Sequence, residues 1–245
     1  MPVPFLQAPP RRDQPELIDD TGHAYALFRE SFLDIRIVNR FLGGTSAALN
    51  PLCRMIGRMP DGETVTVLDI GTGSADIPLE LAARMRRLGR SARITALDNH
   101  PDVLRLAREE TAAEPSISVD EGSIAALPYA ACAFDFATCS LTFHHLGDEG
   151  CIRAMREMDR VTRRGWVVND GERAWWTLAF IAAATPLVTR NAITRHDAIA
   201  SVWRCYTPNE MADMARRAGF PDARVRRAPM GRVVVTRDKG LPARG

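Results

Sequence analysis

The sequence predicts an α/β protein built on a doubly wound, mostly parallel sheet. From residue 64 onwards, short β-branched runs alternate with Ala-, Leu- and Arg-rich helical stretches, the rhythm of strand-helix-strand units with right-handed crossovers. A glycine turn, VLDIGTGSADIP, joins the first such strand to the helix that follows, as in sheets that bind ligands at their strand ends. With 245 residues, 46% of them apolar and 25% charged, the chain supports one sizeable core with terminal additions rather than two full domains.

The elements follow in order. MPVPFLQAPPRRDQPE carries prolines where an export signal would carry an apolar run, so residues 1–22 are expected as a flexible arm. Phe28, Phe32, Ile35, Val38 and Leu42 recur at spacings of three and four, predicting an amphipathic helix over 23–42 ended by Gly43 and Gly44. A second short helix, about 48–58, completes a segment 23–60 expected as a helical lid or, equally, a dimer contact. Strands are expected at 64–70, 92–98, 116–122, 134–140 and 165–170, with helices at 76–88, 101–112 and 148–162 between them, so residues 61–170 form the ligand-binding core. Pro101 opens the second of these helices, where a missing N–H costs nothing. Residues 171–206 break the rhythm with helices and polar connections, an inserted cap. A helix at 208–220 and short strands near 223–227 and 231–236, within 207–245, bring the strands to seven.

Composition excludes several classes of function. A net charge of +2 with no concentrated basic face argues against nucleic-acid binding, and the pairs Arg11/Arg12, Arg86/Arg87 and Arg226/Arg227 read as solvated surface. Cys53, Cys132, Cys139, Cys151 and Cys205 are odd in number and lack metal-binding spacing, so free thiols, no metal and a cytoplasmic location are expected. Between Arg173 and Arg190, RAWWTLAFIAAATPLVTR runs sixteen residues without a charge. As a helix it would reach only ~24 Å against a hydrocarbon core of ~30 Å, so it does not span a membrane and allows at most peripheral contact.

Asp76 occupies the third glycine position of the dinucleotide pattern G-x-G-x-x-G. An anion at that helix N-terminus repels a pyrophosphate, so the loop suits a ligand without phosphates, and an NAD-dependent reductase is disfavoured. Asp98, ending the second strand in ALDNHPDVL, suits the two hydroxyls of a ribose, with helix capping as the alternative role. Asp69 is either a buried carboxylate held by backbone amides or an organiser of the ligand.

VLDIGTGSADIP, ALDNHPDVL and EGSIAALPYAACAFDFATCSLTFHHL together resemble the three core motifs of class I S-adenosylmethionine-dependent methyltransferases, in particular the small-molecule branch with the ubiquinone and menaquinone enzymes. The motifs cover about residues 64–146, and the later alternation fits the rest of that Rossmann-like fold. The resemblance implies S-adenosylmethionine as cofactor and S-adenosylhomocysteine as product. It places Gly71, Thr72 and Gly73 under the methionine moiety behind Asp69, and Asp98 at the ribose with Asn99 near the adenine. Ser123 stands where an aspartate usually meets the adenine amino group, so Ser123 and Ile124 are expected to replace that contact. Cys139, Ser140 and Leu141 match the end of the fourth strand, which the resemblance places beside the sulfonium and the entering substrate.

The acceptor is less defined. SLTF replaces the Asn/Asp-Pro-Pro-Tyr/Phe signature that enzymes methylating amide or nucleobase nitrogens resemble one another in, which favours oxygen or carbon. His144, His145 and His196 are the candidate bases for a phenol, with His23 and His100 as weaker ones. Phe143, Trp175, Trp203 and Tyr206, with Trp176 and Phe180 nearby, are expected as walls for a flat, apolar acceptor. The segment from NDGERAWW to RHDAIASVWRCYTPNEM more loosely resembles a bacterial subgroup associated with polyketide or phenolic-lipid biosynthesis. The expected activity is methylation of a hydroxyl on a hydrophobic aromatic small molecule by a monomer or homodimer. The alternatives are C-methylation of a quinone-type ring and a non-methylating S-adenosylmethionine-binding protein.

Overall fold

Alternate residues of the first strand face opposite cores, which makes the sheet the middle layer of the molecule. The computed structural model describes residues 8–19, 24–41 and 43–240. Its strands are β1 (Val65–Ile70), β2 (Ala92–Asp98), β3 (Ile117–Glu121), β4 (Phe134–Ser140), β5 (Thr162–Gly171), β6 (Arg224–Ala228) and β7 (Arg232–Asp238). They form one Rossmann-like sheet in the order β3-β2-β1-β4-β5-β7-β6. Pairing is parallel from β3 through β5, whereas β7 runs antiparallel to both β5 and β6.

The helices are α1 (Tyr25–Phe41), α2 (Gly44–Ile56), α3 (Asp76–Arg87), α4 (Pro101–Thr111), α5 (Asp148–Val161), α6 (Trp175–Val188), α7 (Ala192–Arg204) and α8 (Pro208–Ala218). On one face Leu68 and Ile70 of β1 share a core with Met155 and Met158 of α5 and Met211 and Met214 of α8. On the other, Val65 and Val67 pack with Leu49 and Leu52 of α2 and Leu81 and Met85 of α3. Each such side chain contributes roughly 1.5–3 kcal/mol on burial, so the two-sided apolar strands anchor the parallel sheet. Thr207 and Glu210 make a reciprocal capping box at the start of α8, which sets the chain direction into the antiparallel end of the sheet.

The expected fold is observed, with three local differences. β5 begins three residues before the expected start at 165, because Arg163 and Arg164 both place Nε 3.1 Å from Asp135 Oδ1 and prolong the ladder with β4. α2 begins at Gly44 rather than near 48; a side chain there would come within 2.6 Å of Asn39 Oδ1 and 2.9 Å of Arg232 Nη2, so glycine permits the close approach. The described part of the N-terminal arm is strapped down rather than loose. Arg11 donates from Nε to the Arg204 carbonyl at 2.7 Å and from Nη2 to the carbonyls of His144 and Leu146 at 3.2 Å. Its guanidinium also lies 4.4 Å from the centre of the Tyr206 ring, so Arg11 is no solvated surface charge. The N–H groups of Leu17 and Ile18 donate to the two oxygens of Asp197, at 2.7 and 2.8 Å. His23 and Leu42 lie outside the described residues.

The loops that follow β1, β2, β3, β4 and β5 gather at one edge of the sheet. The strand order reverses there between β1 and β4, the position at which open α/β sheets leave a crevice. α1, α6 and α7 close over it. Among the described residues, no helix is long and apolar enough to cross a membrane.

Candidate functional site

A cavity of about 740 Å³ occupies that crevice. All nine residues expected at the cofactor line it: Asp69, Gly71, Thr72, Gly73, Asp98, Asn99, Ser123, Ile124 and Ser140. Gly71 and Gly73 have φ of +66° and +55°, left-handed values that side chains resist. A side chain at Gly71 would run into Thr142, and one at Gly73 would come within 3.1 Å of Phe32 on α1. The bare backbone thus leaves a floor over which a ligand can lie.

Asp98 ends β2 with a carboxylate organised by main-chain donors. Oδ1 accepts from Asn99 at 2.8 Å and His100 at 3.1 Å, and Oδ2 accepts from Gly73 at 3.4 Å. The helix cap beside it is instead His100, whose Nδ1 accepts from Asp102 N at 3.2 Å. The capping alternative for Asp98 therefore gives way, and its remaining lone pairs are available for hydroxyl donors. Burial pushes the Asp98 carboxyl above its ordinary range, the nearby backbone N–H groups opposing it. Burial raises Asp69 further, to about 8, and the charges of Asp76 and Asp98 add to the effect. This acidic wall takes up a proton at neutral pH unless a cation lies against it. Ser140 Oγ is buried with no hydrogen-bond partner, and Ser123 Oγ accepts from Ala125 N at 3.2 Å, leaving its own proton to donate. Donors, acceptors and glycine backbone together fit an adenosyl group with a cationic tail.

The three candidate bases separate clearly. His144 is 3% exposed, with Nδ1 2.7 Å from Asp170 Oδ1 and Nε2 3.4 Å from Glu16 Oε1. Burial alone would depress the imidazolium, but Asp170 and Glu16 outweigh it and push the ring up to about 10, while His144 holds the Asp170 carboxyl below its usual range. His144 also lines the cavity, but both its ring nitrogens face carboxylates, Asp170 at Nδ1 and Glu16 at Nε2, which makes it an ionic clasp rather than the expected base. His145 lines the cavity with Nε2 3.8 Å from Glu16 Oε2, its ring centre 4.2 Å from that of His144. His196 lies outside the cavity lining and pairs through Nδ1 with Asp197 Oδ1 at 2.8 Å. Adjacent helical side chains ordinarily face apart, yet here Asp197 meets the His196 ring while its two oxygens also accept the Leu17 and Ile18 N–H groups of the arm.

The expected aromatic walls are placed elsewhere. Phe143 is fully buried in the core between β4 and α5. Tyr206 is likewise buried, and its hydroxyl donates to the Leu146 carbonyl at 2.8 Å. Trp175 meets Trp203 edge-on at 6.0 Å, and Arg12 covers the Trp203 ring at 4.0 Å. Trp175 and Trp176 are exposed, because α6 turns Thr177, Leu178 and Thr185 inward instead. The uncharged stretch does line the cavity, through Thr177 and Ile181, joined by Ala198 and Val202 of α7 and by Phe32, Ile35 and Val38 of α1.

Glu16, Thr177, Asp170, Asn39 and Arg232 also shape the site, and sequence reading missed them as functional. Asp170 had a signal in its position at the end of a strand. Glu16 and Arg232 had none, since their contacts with Arg204 and Asn39 cross 188 and 193 residues of chain.

Residues 67–165 match a family model described as a methyltransferase domain. No curated protein matches the chain. Among solved structures, human N-acetylserotonin methyltransferase in complex with S-adenosylmethionine superposes with a TM-score of 0.62 and 15% identity, covering 89% of this chain and 57% of that one. An S-adenosylmethionine-dependent methyltransferase from Methanosarcina mazei gives 0.53 and 18%, covering 75% and 95%. The methyltransferase domain of the citrinin polyketide synthase gives 0.57 and 13%, covering 76% and 49%. At these identities the likeness is one of fold.

Proposed function

We propose that this chain, with its methyltransferase domain match over residues 67–165, transfers a methyl group from S-adenosylmethionine to a hydroxyl of a hydrophobic aromatic small molecule. The observation that carries the reading is one cavity whose lining joins the Asp98 and glycine-loop wall, the apolar side chains Ile35, Ile181 and Val202, and the imidazole of His145. The fold shared with methyltransferases, one of them described with S-adenosylmethionine, supports the same cofactor here. The three sequence motifs support the small-molecule branch near the ubiquinone and menaquinone enzymes.

S-adenosylmethionine, when bound, supplies an already activated methyl group. The chain's own task is to hold the partners and exclude water. Asp98 accepts ribose hydroxyls, Ser123 and Ile124 face the adenine, and ionised Asp69 balances the ligand's positive charge. α1, α6 and α7 cover the crevice with apolar side chains, which orients an acceptor and removes competing water. His145 would take the hydroxyl proton at Nε2, freeing the oxygen's electron pair for the methyl carbon that the cofactor would supply, with S-adenosylhomocysteine leaving on the electrons of the broken carbon–sulfur bond. Arg11, Glu16 and Asp170 hold His144 and the loop that presents His145.

The test is incubation of the purified chain with S-adenosylmethionine and a panel of phenols and quinols, read by mass spectrometry for the gain of one methyl group. A methoxy signal in the product NMR supports the proposal, whereas a new aryl-methyl signal would replace it with C-methylation. Cofactor binding without turnover across the panel would favour a non-methylating protein.

A further inference from the structure

Arg232, the first residue of β7, lines the cavity and is only 6% exposed. Its Nη2 donates to a neutral partner, Asn39 Oδ1, at 2.9 Å, while Nη1 is buried without any hydrogen-bond partner. The carboxylates whose charge reaches it are engaged elsewhere, Asp170 by His144 and Asp76 by Asn39. A buried guanidinium with an idle donor is costly until an anion meets it.

A second idle donor lies beside it. Gly231, at φ +70°, leads into Arg232, and a side chain at that glycine would come within 2.7 Å of Thr177. Thr177 therefore packs against the turn that delivers the arginine. It too lines the cavity, and its Oγ1 is buried without a partner. A guanidinium and a hydroxyl on one wall match a planar, singly charged anion with two oxygens. Asp69, Asp76 and Asp98 line the same cavity, which disfavours a more highly charged phosphate.

We propose that Arg232 and Thr177 form a carboxylate-binding subsite of this cavity. The carboxylate has two possible sources, an aromatic hydroxy-acid acceptor or the amino-acid end of the cofactor; both rest on the methyl-transfer reading above.

The experiment is calorimetric titration of the full chain and of the Arg232→Gln and Thr177→Val variants, with unfolding curves confirming that each variant folds. The probes are S-adenosylhomocysteine, its decarboxylated analogue, and 2-hydroxybenzoate added to protein saturated with that analogue. The proposal expects Arg232→Gln to weaken one carboxylate ligand roughly ten- to a hundredfold and Thr177→Val roughly fivefold, the scale of lost hydrogen bonds to a charged group. Loss for S-adenosylhomocysteine but not for its decarboxylated analogue assigns the subsite to the cofactor. Loss for 2-hydroxybenzoate with unchanged S-adenosylhomocysteine binding assigns it to the acceptor. Folded variants that bind both carboxylates as the parent does overturn the subsite, as does a parent that binds the two adenosyl ligands equally and no benzoate. If Arg232→Gln does not fold, Thr177→Val decides alone. A parent that binds neither adenosyl ligand overturns the methyl-transfer reading instead, and 2-hydroxybenzoate added to the ligand-free chain then decides the subsite.

Discussion

Both oxygens of Asp170 hold the same residue: Oδ1 lies 2.7 Å from His144 Nδ1, and Oδ2 accepts the His144 main-chain N–H at 3.0 Å. The end of β5 is thereby fixed to the loop after β4, and Glu16 completes the clasp from the arm. The loop that presents His145 is positioned by charges rather than by packing alone.

Asp170→Asn leaves an imidazolium buried beside one carboxylate and is expected to destabilise the fold by about 3–5 kcal/mol. The pH dependence has a definite sign. The His144 ring is raised from 6.5 to about 10, so its contribution is fully present below pH 6.5 and fades as pH rises through 10. Asp170, held below its usual range, contributes above the ordinary carboxylate range and loses that contribution as pH falls through its lowered value. Unfolding curves across this range check both limbs, and His144→Asn removes the alkaline one.

His145→Ala is expected to lower methyl transfer to a phenol by roughly 10²–10⁴-fold at neutral pH while cofactor affinity changes little. An unaltered pH–rate profile would remove His145 as the base. His196→Ala, whose ring pairs with Asp197 outside the cavity lining, is expected to keep the parent rate.

Cofactor binding is expected to release protons near neutral pH. Asp69 is raised to about 8 by burial, with Asp98 also raised, so a cationic ligand draws them towards the ionised form. Affinity for S-adenosylmethionine should rise between pH 6 and 8, and the calorimetric enthalpy should vary with the ionisation heat of the buffer. Binding heats independent of buffer at pH 7 would contradict this coupling.

Gly71→Ala combines a left-handed φ of +66° with a clash against Thr142, and is expected to cost at least about 1–2 kcal/mol. Thr142→Ala in the same chain relieves only the clash, so denaturant unfolding of the single and double variants separates strain from contact.

Much of this site was legible in the sequence because its determinants are local. The glycine turn, Asp98 at the end of β2 and Ser140 at the end of β4 follow from strand periodicity and the short motifs around it. Residues whose role depends on long-range packing were not legible. Nothing near Glu16 announces His144, and nothing near Arg232 announces Asn39. The aromatic walls failed for a related reason: α6 is apolar on all sides, so no stripe indicated that Thr177 and Ile181, rather than Trp175 and Trp176, would face inward. Arg11 looked like a surface charge because its acceptors are carbonyls of distant loops.

The central claim is tested most directly by calorimetric titration of the purified chain and its Asp98→Ala variant with S-adenosylmethionine and S-adenosylhomocysteine, with NAD as the control. The account predicts micromolar binding of both adenosyl ligands by the parent and none of NAD. In Asp98→Ala their affinity should fall by about 1.5–3 kcal/mol, the scale of hydrogen bonds to a charged acceptor. A parent that binds neither adenosyl ligand would contradict the cofactor assignment, and equal affinity in the variant would contradict the role given to Asp98.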